Sequence, residues 1–112
     1  MSLSTHVLDT ATGQPAAGLT VTLFDEQDAP VEAVEAGVTD ADGRHRFAVS
    51  PEPGMYRLRF DTGAWFSVTG TASLYPFVDV TFHVTVERGG AGGHLHVPLL
   101  VSPFGYSTYQ GS

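Results

Sequence analysis

The chain contains no cysteine and no lysine. Without cysteine there is no disulfide framework, no thiolate metal site and no thiol nucleophile, and the redox compartment stays open. No stretch approaches the roughly 18 apolar residues of a membrane span, and no basic segment leads into an apolar run near the start. A cytoplasmic location without membrane contact is therefore expected. Twelve acidic residues face five basic ones, all arginine, for a formal net charge of −7. Such a surface repels phosphates, which excludes nucleic acid as a partner. Two catalytic signatures are missing as well. There is no strand–Gly-x-Ser-x-Gly–helix elbow for a serine nucleophile. The small-residue run Gly89–Gly93 lacks the Lys-Ser/Thr and helix of a phosphate loop, and reads as a linker between strands.

What is present is short-range alternation. The 112 residues are expected to form one domain over residues 1–112, with a single core too small to enclose a ligand. A site then belongs in a surface cleft or between subunits. Apolar and polar residues alternate in short runs bounded by Gly, Pro and Asp, the pattern of half-buried strands. Strands are expected at Thr5–Leu8, Leu19–Asp25, Val31–Thr39, Arg44–Val49, Met55–Asp61, Val78–Val86, His94–Val101 and Tyr106–Gln110. An all-β, two-sheet sandwich follows from their number and spacing. Asp40-Ala41-Asp42-Gly43 and Ser50-Pro51-Glu52-Pro53-Gly54 supply turn chemistry between strands. Only Asp61–Val68 fits a short helix, with Asp61 or Thr62 as N-cap and Ala64, Trp65 and Val68 on one face.

Several residues fit hydrolytic chemistry. His94 and His96, two apart on a strand, project from one face about 7 Å apart. They suit shared acid–base work on water, histidine being the side chain that titrates near neutrality. A metal would need a third and preferably a fourth ligand; His6 or His83 could supply one, but no spacing demands it, and no metal is expected. His45 and His83 read as ordinary packing or surface histidines. Arg44 follows a tight Asp-Gly turn, where a rigid five-donor fork can hold a planar amide-rich anion or an oxyanion. Arg46 shares its strand face. The last residues, with rings at Phe104, Tyr106 and Tyr109, are expected to be covered by an interface, since chain ends are ordinarily polar and frayed.

These motifs together are similar to the transthyretin-related 5-hydroxyisourate hydrolases. The resemblance is carried by Thr5-His6-Val7-Leu8-Asp9, Gly13–Ala16, the Asp42-Gly43-Arg44 turn, Tyr56–Gly63, His94-Leu95-His96-Val97-Pro98-Leu99-Leu100 and the aromatic tail. It implies a transthyretin-like sandwich of two four-stranded antiparallel sheets with one short helix. It also implies a homotetramer, a dimer of dimers, with sites in the channel between dimers. The implied activity is hydrolysis of a purine-derived small molecule, 5-hydroxyisourate, without a cofactor. The implied catalytic residues are His6, Arg44, His96 and Ser112. Substrate binding falls to His6 and Arg44 with Tyr109, Gln110 and Gly111. Which histidine is the base is left open. Gln110 stands where the family signature has arginine, which loses a fixed charge and a bidentate fork. The alternative is a non-catalytic small-ligand-binding protein of the same fold.

Overall fold

In the computed structural model, which describes residues 1–86 and 93–112, the alternation near the start becomes β1 (Ser2–Asp9). Leu3, Thr5, Val7 and Asp9 turn inward, while Ser2, Ser4, His6 and Leu8 stay half-exposed on the other face. β1 organises the first sheet. On one edge it pairs with β2 (Gln14–Pro15) and β5 (Arg44–Arg46), both antiparallel. On the other it pairs in parallel with β8 (His94–His96) and then β9 (Leu99–Ser102), in unbroken register. β10 (Gly105–Thr108) closes the sheet against β9. The second sheet runs β4 (Glu32–Val38), β3 (Thr20–Asp25), β6 (Gly54–Phe60), β7 (Val78–Val84).

The expected pair of four-stranded antiparallel sheets is corrected to sheets of six and four strands, with parallel pairing at β1. The cause is local chemistry. Pro98 has no N–H to give the ladder, so the expected strand His94–Val101 splits into β8 and β9. The carbonyls freed at the break are satisfied by side chains: Thr5 Oγ1 donates to Val97 O at 2.7 Å, and Thr108 Oγ1 to Pro98 O at 2.7 Å. Likewise β2 and β5 fill successive stretches of one edge of β1. The expected strand to Val86 ends at Val84, and the Gly89–Gly93 linker lies, apart from Gly93, outside the described residues.

Between the sheets Leu3, Leu19, Leu23, Leu58, Phe60 and Leu99 are fully buried. Each such side chain contributes about 1.5–3 kcal/mol of transfer free energy. The helix α1 (Thr62–Val68) follows β6, as its N-cap Asp61 suggests, but Asp61 makes no side-chain cap bond. Its buried face is also a different one. Thr62 and Phe66, four apart, point to the core, while Val68 is 85% exposed. Trp65 is tethered instead through Nε1–H to Ala17 O at 2.7 Å. Among the described residues no helix is long and apolar enough to cross a membrane.

The outer face of the second sheet takes two of the five arginines. Asp79 accepts from both Arg57 (3.1 Å) and Arg59 (2.8 Å), and Arg57 also pairs with Glu26. The guanidinium of Arg57 lies 4.2 Å from the Phe24 ring centre, and that of Arg59 lies 3.7 Å from the Phe77 centre. These contacts account for Arg57 and Arg59 structurally. Arg44 and Arg46 stand on the other sheet.

Candidate active site

The turn before β5 is built to aim Arg44. Asp40 Oδ1 accepts from the backbone N–H of Asp42 (2.9 Å) and of Arg44 (3.0 Å), and Gly43 N–H closes on Asp40 O at 2.9 Å. The Arg44 N–H contact leads the effects that hold the exposed Asp40 carboxyl below its ordinary range. Gly43 adopts φ +76°, and a Cβ there would lie 2.5 Å from Val7 O. Its own carbonyl accepts from Val7 N–H at 2.7 Å. The turn is thereby pinned to β1 in a register that sets Arg44 directly opposite His6 and Arg46 opposite Ser4.

The parallel partner supplies the histidines. Ser2 pairs with His94 and Ser4 with His96, so Ser4 stands between His96 on one side and Arg46 on the other. Neighbouring strands lie about 4.8 Å apart, which gathers His96, Ser4, Arg46, His6 and Arg44 on one sheet face. An open cleft of about 470 Å³ is lined by Ser4, Arg44, Arg46, His94, His96 and Ser112, among others. The rings of His94 and His96 stack with centroids 6.3 Å apart and planes at 22°. His96 is half-buried, and burial is the first cause that holds its pKa below the ordinary histidine range. The nearby charges of His94, His6 and Arg44 act in the same direction. His96 is accordingly neutral near pH 7, with a lone pair to offer.

The chain's final segment comes back to this ring. Gly111 N–H donates to His96 O at 2.8 Å. A Cβ at Gly111 would lie 2.6 Å from His96 Cδ2 and 3.1 Å from Pro98 Cγ, so only a residue without a side chain rests on the imidazole. Gly111→Ala should therefore displace the ring, and a reaction that depends on the ring's position should slow by about 10- to 100-fold. Steady-state kinetics with a thermal melt checks this. An unchanged kcat would show that the ring position does not matter.

Not every expected residue joins the cleft. Ser112 does, Gly111 bridges to His96 beside it, and His6 shares the sheet face without lining the cleft. Tyr109 and Gln110 instead line a separate hollow of about 200 Å³ beside Phe82, His83 and Val97. The reason is that β10 stops at Thr108, and the chain passes the edge facing β7 before Gly111 bridges back to β8. His45 also lines the cleft, but its ring is held by Glu35, with Nε2 3.5 Å away, and packs edge-on to Phe47 at 4.6 Å between centroids. Among the described residues no three His, Cys, Asp or Glu side chains converge as a metal ion would require. Sequence reasoning overlooked Ser4, whose hydroxyl lies within hydrogen-bond distance of both His94 and His96.

A transthyretin-type sandwich carrying a histidine–arginine cleft is the class of protein these features define. The model of the HIUase/Transthyretin family matches residues 3–111, and the chain belongs to that family. The 5-hydroxyisourate hydrolase of Mus musculus is 42% identical, over 98% of this chain and 94% of its own length. Among solved structures, 5-hydroxyisourate hydrolase from Klebsiella pneumoniae superposes with a TM-score of 0.85 at 40% identity, covering 99% of this chain and 93% of that one. Transthyretin from Sparus aurata superposes with a TM-score of 0.86 at 30% identity, covering 97% and 95%.

Proposed function

We propose that this protein is an enzyme of urate degradation that hydrolyses 5-hydroxyisourate to 2-oxo-4-hydroxy-4-carboxy-5-ureidoimidazoline. The observation that carries the proposal is the meeting of His6, Arg44 and His96 on one sheet face of a chain 42% identical to a named hydrolase. The fold alone does not discriminate, since the transthyretin structure superposes as well as the hydrolase does. Sequence identity favours the hydrolase, and so does the chemistry of the cleft. A carrier has no need of a neutral base beside a guanidinium.

In the proposed reaction His96 takes a proton from water as the oxygen adds to the ring amide carbonyl. Arg44 holds the substrate and neutralises the developing oxyanion. The C–N bond then breaks, and the leaving nitrogen receives the proton that His96 took up. His96 is preferred over His6 as the base because it lines the cleft together with Arg44 and Ser112, whereas His6 is not among the lining residues. His6, opposite Arg44, and Gly111, bridged to His96, would flank the substrate, and Ser112 stands at the cleft wall where it can donate to the substrate or to the water. No cofactor enters this scheme. The chain acts as one transthyretin-like domain, in a cytoplasmic homotetramer built as a dimer of dimers. Assembly of that kind would cover Phe104, Tyr106 and Tyr109, which are 66%, 46% and 55% exposed in the single chain.

The test is direct. Urate oxidase generates hydroxyisourate in the cuvette, and the purified protein should accelerate the decay of its absorbance well above the spontaneous rate. No acceleration across neutral pH would remove the hydrolase reading and favour a small-ligand carrier. Gln110→Arg is expected to change kcat/KM by no more than about threefold, as for a surface change away from the site. The reason is that position 110 faces the hollow beside His83 instead of the arginine cleft. A gain above tenfold would place position 110 at the substrate.

A further inference from the structure

Ser4 Oγ lies 2.8 Å from His94 Nε2 and 2.7 Å from His96 Nδ1. Ser2 Oγ touches His94 Nδ1 on the other side of that ring and reaches Gly93 O at 3.5 Å. The four side chains thus form one line across β1 and β8, ending on a backbone carbonyl. Two proton orders satisfy this line; in one of them the Ser2 hydroxyl gives its hydrogen to Gly93 O, which only accepts. Ser2 must then accept from His94, which puts the His94 proton on Nδ1 and leaves Nε2 as an acceptor. Ser4 has a single hydroxyl hydrogen, and it goes to His94 Nε2. What remains toward His96 is a lone pair, which accepts a proton-bearing Nδ1.

We propose, resting on the hydrolase reading above, that Ser4 and His94 are positioning residues that hold neutral His96 in the Nδ1–H tautomer with its Nε2 lone pair toward the cleft. Free neutral histidine prefers the opposite tautomer, with the proton on Nε2, in which the atom facing the substrate could not take a proton. The Ser4–His94 line reverses that preference. It also serves the protonated ring, because Nδ1–H keeps donating to Ser4 after Nε2 has taken a proton from water, so nothing need rearrange during the step. The arrangement separates the two histidines of the His-x-His pair by role. His96 meets the substrate, whereas His94, exposed and one ring further out, fixes the hydroxyl that orients it. The groups facing His96 from the packed elements are His94 on β8, Ser4 and His6 on β1, and Arg44 with Arg46 on β5.

The experiment reads the tautomer and the turnover separately. In the uniformly ¹⁵N-labelled full chain above pH 8, long-range proton–nitrogen correlation should show His96 with a protonated Nδ1 and a bare Nε2. Ser4→Ala should shift His96 toward the Nε2–H form and lower kcat by about five- to tenfold, the size of one neutral hydrogen bond, with KM little changed. Ser4→Thr, which keeps a hydroxyl on the strand, should restore both. His94→Phe keeps a ring stacked on His96 but removes the acceptor, so Ser4 can turn its hydrogen to His96 and the tautomers should mix. A wild-type His96 found as Nε2–H overturns the proposal, and so does a Ser4→Ala protein that keeps both tautomer and kcat. Should Ser4→Ala fail to fold, the wild-type and Ser4→Thr spectra still decide. A wild type with the expected tautomer but no hydrolase activity defeats the reaction assignment and leaves the hydrogen-bond direction standing.

Discussion

His96→Asn is expected to lower kcat for hydroxyisourate by about 10²-fold or more, the scale of a general acid–base contribution, while the protein still folds. Asparagine retains polarity and fits the half-exposed position, but it cannot take a proton from water. His45→Asn is the control. It removes the contact with Glu35 at 3.5 Å and the edge-on packing on Phe47, so its effect falls on stability and leaves turnover near wild type. Equal turnover in the two variants would show that the base lies elsewhere, with His6 the next residue to test. The pH profile of the wild type adds a second reading. Burial, followed by the charges of His94, His6 and Arg44, depresses the His96 pKa. The acid limb of kcat/KM should therefore lie below the ordinary histidine value near 6.5. Stability moves in the same sense. The unfolded chain takes up this proton near pH 6.5 and the folded chain only at lower pH, so acidification through that window favours unfolding. An acid limb above 6.5 would contradict a desolvated, repelled His96.

The strands were legible in the chain because period-two alternation survives wherever one face is buried, as in β1 and β6. What the pattern could not convey was pairing. β2 is two residues, one of them Pro15, too short to carry any period. The break at Pro98 needed only the rule that proline gives no N–H, but the parallel register that carries β8 into β9 is a tertiary fact. The helix face was misread because two turns offer too few positions, and the packing of Phe66 decided the outcome. The site divides along the same line. That His94 and His96 share a face follows from their spacing, as does the shared face of Arg44 and Arg46. That Arg44 lies opposite His6 depends on an antiparallel register fixed by the Gly43 turn, which no spacing between residues 6 and 44 reveals. Ser4 was invisible because a serine two residues before a histidine acquires meaning only when another strand brings imidazoles to its hydroxyl. The tail shows the converse. Its chemistry predicted one function for Tyr109 through Ser112, and the path of the chain past the sheet edge sends Tyr109 and Gln110 to a different hollow.

Arg44→Gln is expected to lower kcat by about 10²- to 10³-fold, the loss seen when a preorganised oxyanion donor is removed, and Arg44→Lys to recover only part of it. The argument rests on how fully the residue is aimed and how little else it does. Among the described residues the ion pairs engage Arg57, Arg59 and His45, and Arg44 takes part in none of them. Its backbone is held by Asp40 Oδ1 at 3.0 Å and by the turn that Gly43 pins to Val7, so the side chain starts from a fixed point on the cleft wall. Glutamine keeps one amide donor but no charge. It can still touch the carbonyl of the ground state, whereas the charge that develops as water adds goes unanswered, and the loss should appear in kcat more than in KM. Lysine keeps the charge as a mobile point without the planar fork, so it should restore affinity for an amide-rich anion better than it restores rate. Arg46, opposite Ser4 on the same face, offers a neighbouring charge that could mask the effect. The double variant Arg44→Gln with Arg46→Gln should then fall below Arg44→Gln alone. If Arg44→Gln raises KM and leaves kcat intact, Arg44 anchors the substrate in its ground state and the oxyanion must be met by another donor, for which Ser112 in the same cleft is the nearest candidate.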